Sequence, residues 1–455
     1  MLTLAELRQD PEIQPVFMSE QEPEYAGELA VAKRFCERWR GDADFRARME
    51  KDPRGTLEQA GVPFGADELR PLYDAQAVGP PSRLVRRVWA LHQEKVAWRE
   101  SLRQQMELTS PGLNAWRRRQ IRRCAWQLAT GNSEAIVHPP AAFELARGCS
   151  VGCWFCGVSA PKLTDLWLAT PENRQLWREV LEVVMEICGP AAGHAFLYWA
   201  TDPMDNPDYE QFCVDFHSVT GQFPQTTTAL ALKNVERTRA LLKLSQQYGS
   251  PLDRFSVLTL RQLLQIHEQF TPLELLRVEL VTQNKESLGA RSAAGKALSR
   301  LDPETAHATT IACVSGFLFN LPDRRVRLVS PCPSSPRWPD GYRVHGEATF
   351  SHAGQLREVL LEWSNRPTRL GLQEVPCFRE DLRLVPREGG FRLQDKSRGV
   401  DFHSRGYAGM QQLGELISEG IYTVEQLCLK MEQEPAETLL ALQEMYIAAL
   451  FEDLL

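Results

Sequence analysis

A chain of 455 residues, 43% hydrophobic and 24% charged, is too long for one ordinary domain and too apolar to be disordered, so two or three folded units are expected. The formal charge of −7 gives no global attraction to nucleic acid, and no apolar run approaches the length of a membrane span. Eleven cysteines behind an acidic start that lacks an export-signal layout predict a cytoplasmic protein whose thiols stay reduced and open to metal.

Residues 1–75 read as a small helical unit. Asp44, Phe45, Met49 and Leu57 give helical apolar spacing, and Gly61 supplies a stop. Residues 76–140 read as a helical linker region. It contains the basic run Trp116 to Arg123, either a solvated helix face or a docking surface for an acidic peptide.

From residue 141 short apolar runs alternate with amphipathic stretches. Strands are expected at 143–146, 195–199, 226–230, 255–260 and 277–282, with helices at 173–188 and 235–247 between them. Strands alternating with helices predict parallel pairing and an α/β fold, with the active site at the C-terminal ends of the strands. The first strand runs into Arg-Gly-Cys-Ser-Val-Gly-Cys-Trp-Phe-Cys-Gly, which places Cys149, Cys153 and Cys156 in a C-x3-C-x2-C pattern. Three thiolates on one loop can hold three corners of a [4Fe–4S] cluster and leave the fourth iron open, where a four-cysteine set would close it. A zinc site normally takes four N or S ligands in paired C-x2-C units, and no second pair accompanies this motif.

Residues 308–350 predict strands near 325–329 and 342–344 on either side of a proline-dense turn. Prolines flank Cys332 in that turn and confine its backbone. The domain carrying these features is expected to span 141–380. From 381 to 455 three short strands precede three helices, at about 411–417, 424–431 and 436–450. Thr423 and Gln426 form a capping box for the middle helix, and Leu439, Leu442 and Tyr446 a stripe on the last.

The cysteine spacing, with aromatic Phe155 before the last thiol, resembles the signature of the radical S-adenosylmethionine (SAM) enzymes. The resemblance implies a partial (β/α)6 barrel, one [4Fe–4S] cluster and SAM as cofactors. Ala200, Thr201 and Asp202 stand where that family commonly has a Gly-Gly-Glu-Pro segment against the SAM amino group. Thr228 and Ser256, polar groups in apolar runs, are candidates for its carboxylate or ribose, or else satisfied core hydroxyls. Residues 45–69 resemble the leader of nitrile hydratase-like precursor peptides. The C-terminal segment resembles the winged-helix RiPP recognition element, which takes a leader peptide as an extra strand on its sheet edge. As a set these features resemble the radical SAM peptide epimerases of proteusin-type maturation.

That resemblance implies conversion of L- to D-residues in a ribosomal precursor peptide, with a flavodoxin or ferredoxin as electron donor. Hydrogen-atom abstraction from Cα flattens the centre, and a thiol must return a hydrogen atom from the other face. Cys332 is the first candidate for that thiol, Cys377 the second and Cys313 the third. Thioether or C–C cross-linking, methylation, and non-catalytic peptide binding are the alternatives.

Overall fold

The computed structural model describes residues 9–17, 21–289, 292–300, 309–395, 398–403, 407 and 409–453. Residues 1–8 of the expected N-terminal unit therefore lie outside the described residues.

The chain begins with helices α1 (Pro23–Gly41), α2 (Ala43–Lys51), α3 (Pro53–Gln59) and α4 (Ala66–Tyr73), then the long α5 (Arg83–Gln104) and α6 (Pro111–Gln127), and the short α7 (Thr130–Ala135). Asp42 and Asp52, the residues between the first helices, accept the backbone N–H groups of Phe45 and Gly55, so each cap also starts the next helix. Phe35, Phe45, Leu57 and Leu69 form the core of this bundle.

A mixed α/β region follows, with strands β1 (Ala141–Glu144), β2 (Ala146–Arg147), β3 (Asp165–Leu166), β4 (Thr227–Thr228), β5 (Asp253–Val257), β6 (Val278–Thr282), β7 (Gly316–Asn320), β8 (Arg325–Pro331) and β9 (Tyr342–Thr349). The intervening helices are α8 (Pro171–Cys188), α9 (Tyr209–Thr220), α10 (Val235–Gln247), α11 (Leu260–Gln269) and α12 (Ala353–Ser364). Strands β4, β5 and β6 pair in parallel, and β1 pairs in parallel with β7. The stretch 195–199, expected as a strand, meets β1 through one parallel bridge, Ala142 to Phe196, with Phe143 N–H donating to the Phe196 carbonyl at 2.9 Å.

Side chains alternate across this sheet. Phe143 and Phe319 turn toward α8, where their rings stack 4.7 Å apart and Trp177 packs edge-on at 4.8 Å. Ala142, Phe196 and Leu318 turn to the opposite, inner face. Helix α1 lies along β6, an edge of the three-stranded parallel sheet. Lys33 donates to the Val278 carbonyl at 2.7 Å and the Asn284 amide to the Gly41 carbonyl at 2.6 Å. The leader-like unit thus shields an open sheet edge.

The C-terminal unit has the expected order: β10 (Arg383–Arg387), β11 (Gly390–Gln394) and β12 (Gly399–His403) form an antiparallel sheet, followed by α13 (Met410–Glu419), α14 (Val424–Lys430) and α15 (Pro435–Ile447). The Thr423–Gln426 capping box is present. Leu442 and Tyr446 of the expected stripe pack in its core with Leu439 beside them. This unit is clamped to α6: Arg123 pairs with Glu452 at 2.8 Å and Asp453 at 3.1 Å, and Arg119 lies over the Tyr446 ring at 4.2 Å.

Candidate functional site: a three-cysteine loop at the end of the first parallel strand

Strand β1 ends at Glu144, and the chain reaches Cys149 five residues later. Gly148, at φ +86°, turns it there, and a Cβ at that position would collide with the Lys162 carbonyl oxygen. The Cys149 N–H bonds the Pro161 carbonyl at 2.9 Å, which closes the loop at its base. Cys149, Cys153 and Cys156 are all half-buried on it. The Val151 N–H points at Cys149 Sγ (3.5 Å) and the Ala160 N–H at Cys156 Sγ (3.3 Å). Burial pushes the Cys149 and Cys153 thiols up to about 11, with neighbouring thiols and Asp202 adding to the rise. Such sulfurs become thiolates when a positive centre compensates their burial, and the two N–H groups face sulfur as they do around iron–sulfur clusters. Among the described residues no three His, Cys, Asp or Glu side chains converge closely enough to hold one metal ion.

The loop is fastened from two sides. Asp205 accepts the Ser150 N–H at 2.9 Å and the Ser150 hydroxyl. Lys296 donates its N–H to the Cys156 carbonyl at 2.9 Å and its ammonium to the Ala160 carbonyl. Phe155 is half-buried and packs edge-on against Trp154 at 5.3 Å.

The segment 200–208 crosses the same end of the sheet. Ala200 donates its N–H to Glu144 Oε1 at 2.9 Å, and Thr201 beside it is half-buried. Asp202 is 5% exposed and accepts from the Thr228 hydroxyl (2.7 Å), Ala229 N–H (2.7 Å) and Met204 N–H (3.0 Å). Burial raises its carboxyl to about 6 against those hydrogen bonds. Thr228 also accepts the Leu230 N–H at 2.9 Å, so its hydroxyl is engaged by internal partners, as a satisfied core group would be. Ser256 is half-buried on the inner face of β5, two residues from Arg254.

The candidate thiols separate clearly. The proline-dense turn leaves Cys332 buried rather than open to a substrate. Its side chain is 1% exposed, close to Cys124 of α6, with Arg343 and Arg123 nearby. Prolines fix the backbone of this turn, but packing beneath α6 sets the side-chain direction. Cys377 lies in the C-terminal unit against Gly420. Cys313 lies near Tyr198 and Arg254 and packs between the Ala142–Phe196–Leu318 cluster and the Cys124–Leu128–Ile136 cluster.

Sequence reasoning missed Glu144, Asn320, Asp205 and Asn206. Asn206 is 1% exposed and bonds the carbonyls of Leu145 (2.9 Å) and Trp167 (2.7 Å). The available signal was a lone acid inside the apolar run Ala141 to Ala146. A second polar chain runs from Ser330 Oγ to His345 Nε2 (2.9 Å) and from His345 Nδ1 to Asp453 Oδ2 (3.6 Å). Ser330 is wholly buried, so this chain joins β8 and β9 to the C-terminal tail and offers no nucleophile to a substrate.

Fold and site together define a mixed α/β protein whose first parallel strand delivers a three-cysteine loop to one end of the sheet. The chain is 37% identical over 462 residues to the uncharacterized protein y4wI of Sinorhizobium fredii (strain NBRC 101917 / NGR234), covering 95% of this chain and 88% of the relative, and it belongs to the same family. No protein-family model matches it. A structure of BtrN in complex with AdoMet and 2-DOIA superimposes with a TM-score of 0.35 and 12% identity, over 51% of this chain and 83% of that one. Among the described residues no helix is long and apolar enough to cross a membrane.

Proposed function

We propose that the chain is a radical SAM enzyme acting on a peptide, and that it inverts Cα centres from L to D. The observation that carries the first half is the loop itself: three half-buried thiols, two of their sulfurs met by N–H groups, after the first parallel strand. Cys149, Cys153 and Cys156 would hold a [4Fe–4S] cluster, which would supply the one-electron chemistry that cleaves SAM. Ser150, Asp205 and Lys296 hold the loop in register. Glu144 and Asp202 hold the 200–204 backbone beside it, and Phe155, Ala200, Thr201 and Ser256 are the proposed cofactor contacts.

Inversion needs a hydrogen atom removed from one face of Cα and another returned from the opposite face. An S–H bond breaks and a C–H bond forms in the second step; a one-electron donor of the flavodoxin or ferredoxin class and a proton then restore the thiol. Cys313 is our candidate for this thiol, since Tyr198 and Arg254 lie near it.

The C-terminal unit supports a peptide as substrate. Strand β12 is an edge strand, and a groove of about 590 Å³ runs beside it between Val400 and the α15 residues Ile447 and Ala448, floored by Trp126 of α6. An extended segment there would pair with β12 and set alternate side chains on Trp126. Arg122 and Arg398 flank the groove together with Glu444, and among the described residues the two guanidinium groups donate to neutral oxygen atoms (the Ile447 carbonyl, and the Ala125 carbonyl with the Thr130 hydroxyl), which suits a segment carrying a carboxylate.

The test is anaerobic reconstitution followed by co-expression with a candidate precursor in heavy water. Release of 5′-deoxyadenosine and one added deuterium per inverted residue support the reading. A mass change in ordinary water indicates cross-linking or methylation. Absence of 5′-deoxyadenosine with precursor present leaves a peptide-binding protein.

A further inference from the structure

Basic side chains crowd the inner face of β5 and β6, in a chain whose net charge is −7. Arg254 and Glu279 sit directly opposite each other in the β5–β6 register, and Ser256 and Val281 continue the same face. Glu279 accepts from Arg254 Nε at 2.9 Å and from the Lys95 ammonium of α5. Burial works against its charge, but Arg254 and Lys95 prevail and hold its carboxyl near about 2.

Arg99 follows Lys95 by one helical turn and lies within electrostatic reach of Arg254 and Glu279. Arg40, from the last turn of α1, acts on both Lys95 and His92. The neighbouring Arg103 and Glu100 neutralise each other at 2.7 Å. Glu279 pairs with Lys95 and Arg254, and among the described residues no carboxylate forms an ion pair with Arg40 or Arg99. The Arg99 Nε has no hydrogen-bond partner. Lys95, Arg254 and Glu279 keep between 24% and 35% of their side-chain surface, so they border space that water enters.

A group of like charges assembled at a solvent-filled face and short of counter-charge attracts an anion and focuses its field on it. We propose that this face receives an acidic stretch of the peptide substrate, with Arg40 and Arg99 each taking an Asp or Glu carboxylate. The inference rests on the peptide-substrate reading above and adds to it a second contact, distinct from the groove at β12. Guanidinium groups suit the role because they take carboxylates in two-point contacts.

The experiment is fluorescence anisotropy of fluorescein-labelled hexaglutamate with the full-length protein at low salt, with hexaglutamine as the uncharged control. Wild type is expected to bind hexaglutamate and not hexaglutamine. Measured in an Arg122→Glu/Arg398→Glu background, which removes the groove's own attraction, the Arg40→Glu/Arg99→Glu double variant should weaken binding at least ten-fold, while Arg357→Glu/Arg387→Glu, on exposed parts of α12 and β10, changes it less than two-fold. Arg40→Gln/Arg99→Gln, with thermal unfolding as a check, serves if charge reversal unfolds the protein, and an intermediate loss is then expected. Binding that is absent in wild type, unchanged in the double variants, or displaced equally well by inorganic phosphate at matched charge overturns the proposal. A normal deuterium shift alongside any of those results would sink this inference alone. Binding confined to Arg40 and Arg99 without a shift would sink only the chemistry.

Discussion

Glu144 accepts the Ala200 N–H at 2.9 Å on one carboxylate oxygen and the Asn320 side-chain amide at 2.8 Å on the other. A single buried acid therefore joins β1, β7 and the segment that crosses the cysteine end of the sheet. Burial raises its carboxyl and the two donors oppose that rise, so the acid is held by its partners rather than by solvent.

Replacing Glu144 by Ala strands both donors where water has little access, at a cost of about 1–3 kcal/mol for each unsatisfied group. Glu144→Gln keeps one acceptor and should cost less. Thermal unfolding should rank wild type above Gln above Ala. An Ala variant that melts with wild type would remove Glu144 from its joining role.

Cys149→Ala, Cys153→Ala and Cys156→Ala should each lose bound iron and the visible absorption of the reconstituted protein. Cys124→Ala, which alters a buried thiol under α6, should keep both and lose only stability, by roughly 1 kcal/mol for a small cavity. Iron retained at wild-type stoichiometry in any of the three loop variants would count against a three-thiol cluster.

Cys313→Ser should abolish deuterium incorporation into the precursor while 5′-deoxyadenosine is still formed. Cys332→Ser and Cys377→Ser should leave incorporation within about two-fold of wild type, since neither thiol has inner-face neighbours. Loss confined to Cys332→Ser would restore the proline-dense turn as the source of the donor.

His345 is buried, and desolvation lowers its pKa to about 4. The folded protein keeps it neutral while the unfolded chain takes up a proton below the ordinary value of about 6.5, so its contribution is complete above that pH and fades as the pH falls toward 4. A shift of this size is worth about 3 kcal/mol in full. Urea midpoints measured from pH 7 to pH 4 should fall more steeply for wild type than for His345→Gln. Parallel slopes would show that the imidazole titrates in the folded protein as it does in the unfolded chain.

Much of the architecture was legible along the chain because it depends on short-range patterns. The helix at 235–247 occurs where its spacing placed it, and Thr423 with Gln426 caps α14 by contacts only three residues apart. Strand β7 and helix α12 escaped notice, since an apolar run such as Gly316 to Asn320 carries no period of its own once both faces are buried. The stretch 195–199 was read as a full strand yet makes a single bridge.

The cysteine spacing by itself determined that three thiols share one loop, and the order of strands and helices determined that parallel pairing would follow, because both are set by neighbours within a few residues. That Cys332 is buried beside Cys124, which acid holds Ala200, and that Lys95 and Arg254 meet on Glu279 were decided only by tertiary structure. Those groups come from segments tens to hundreds of residues apart, and side-chain direction at each depends on which face of a sheet or helix the packing buries.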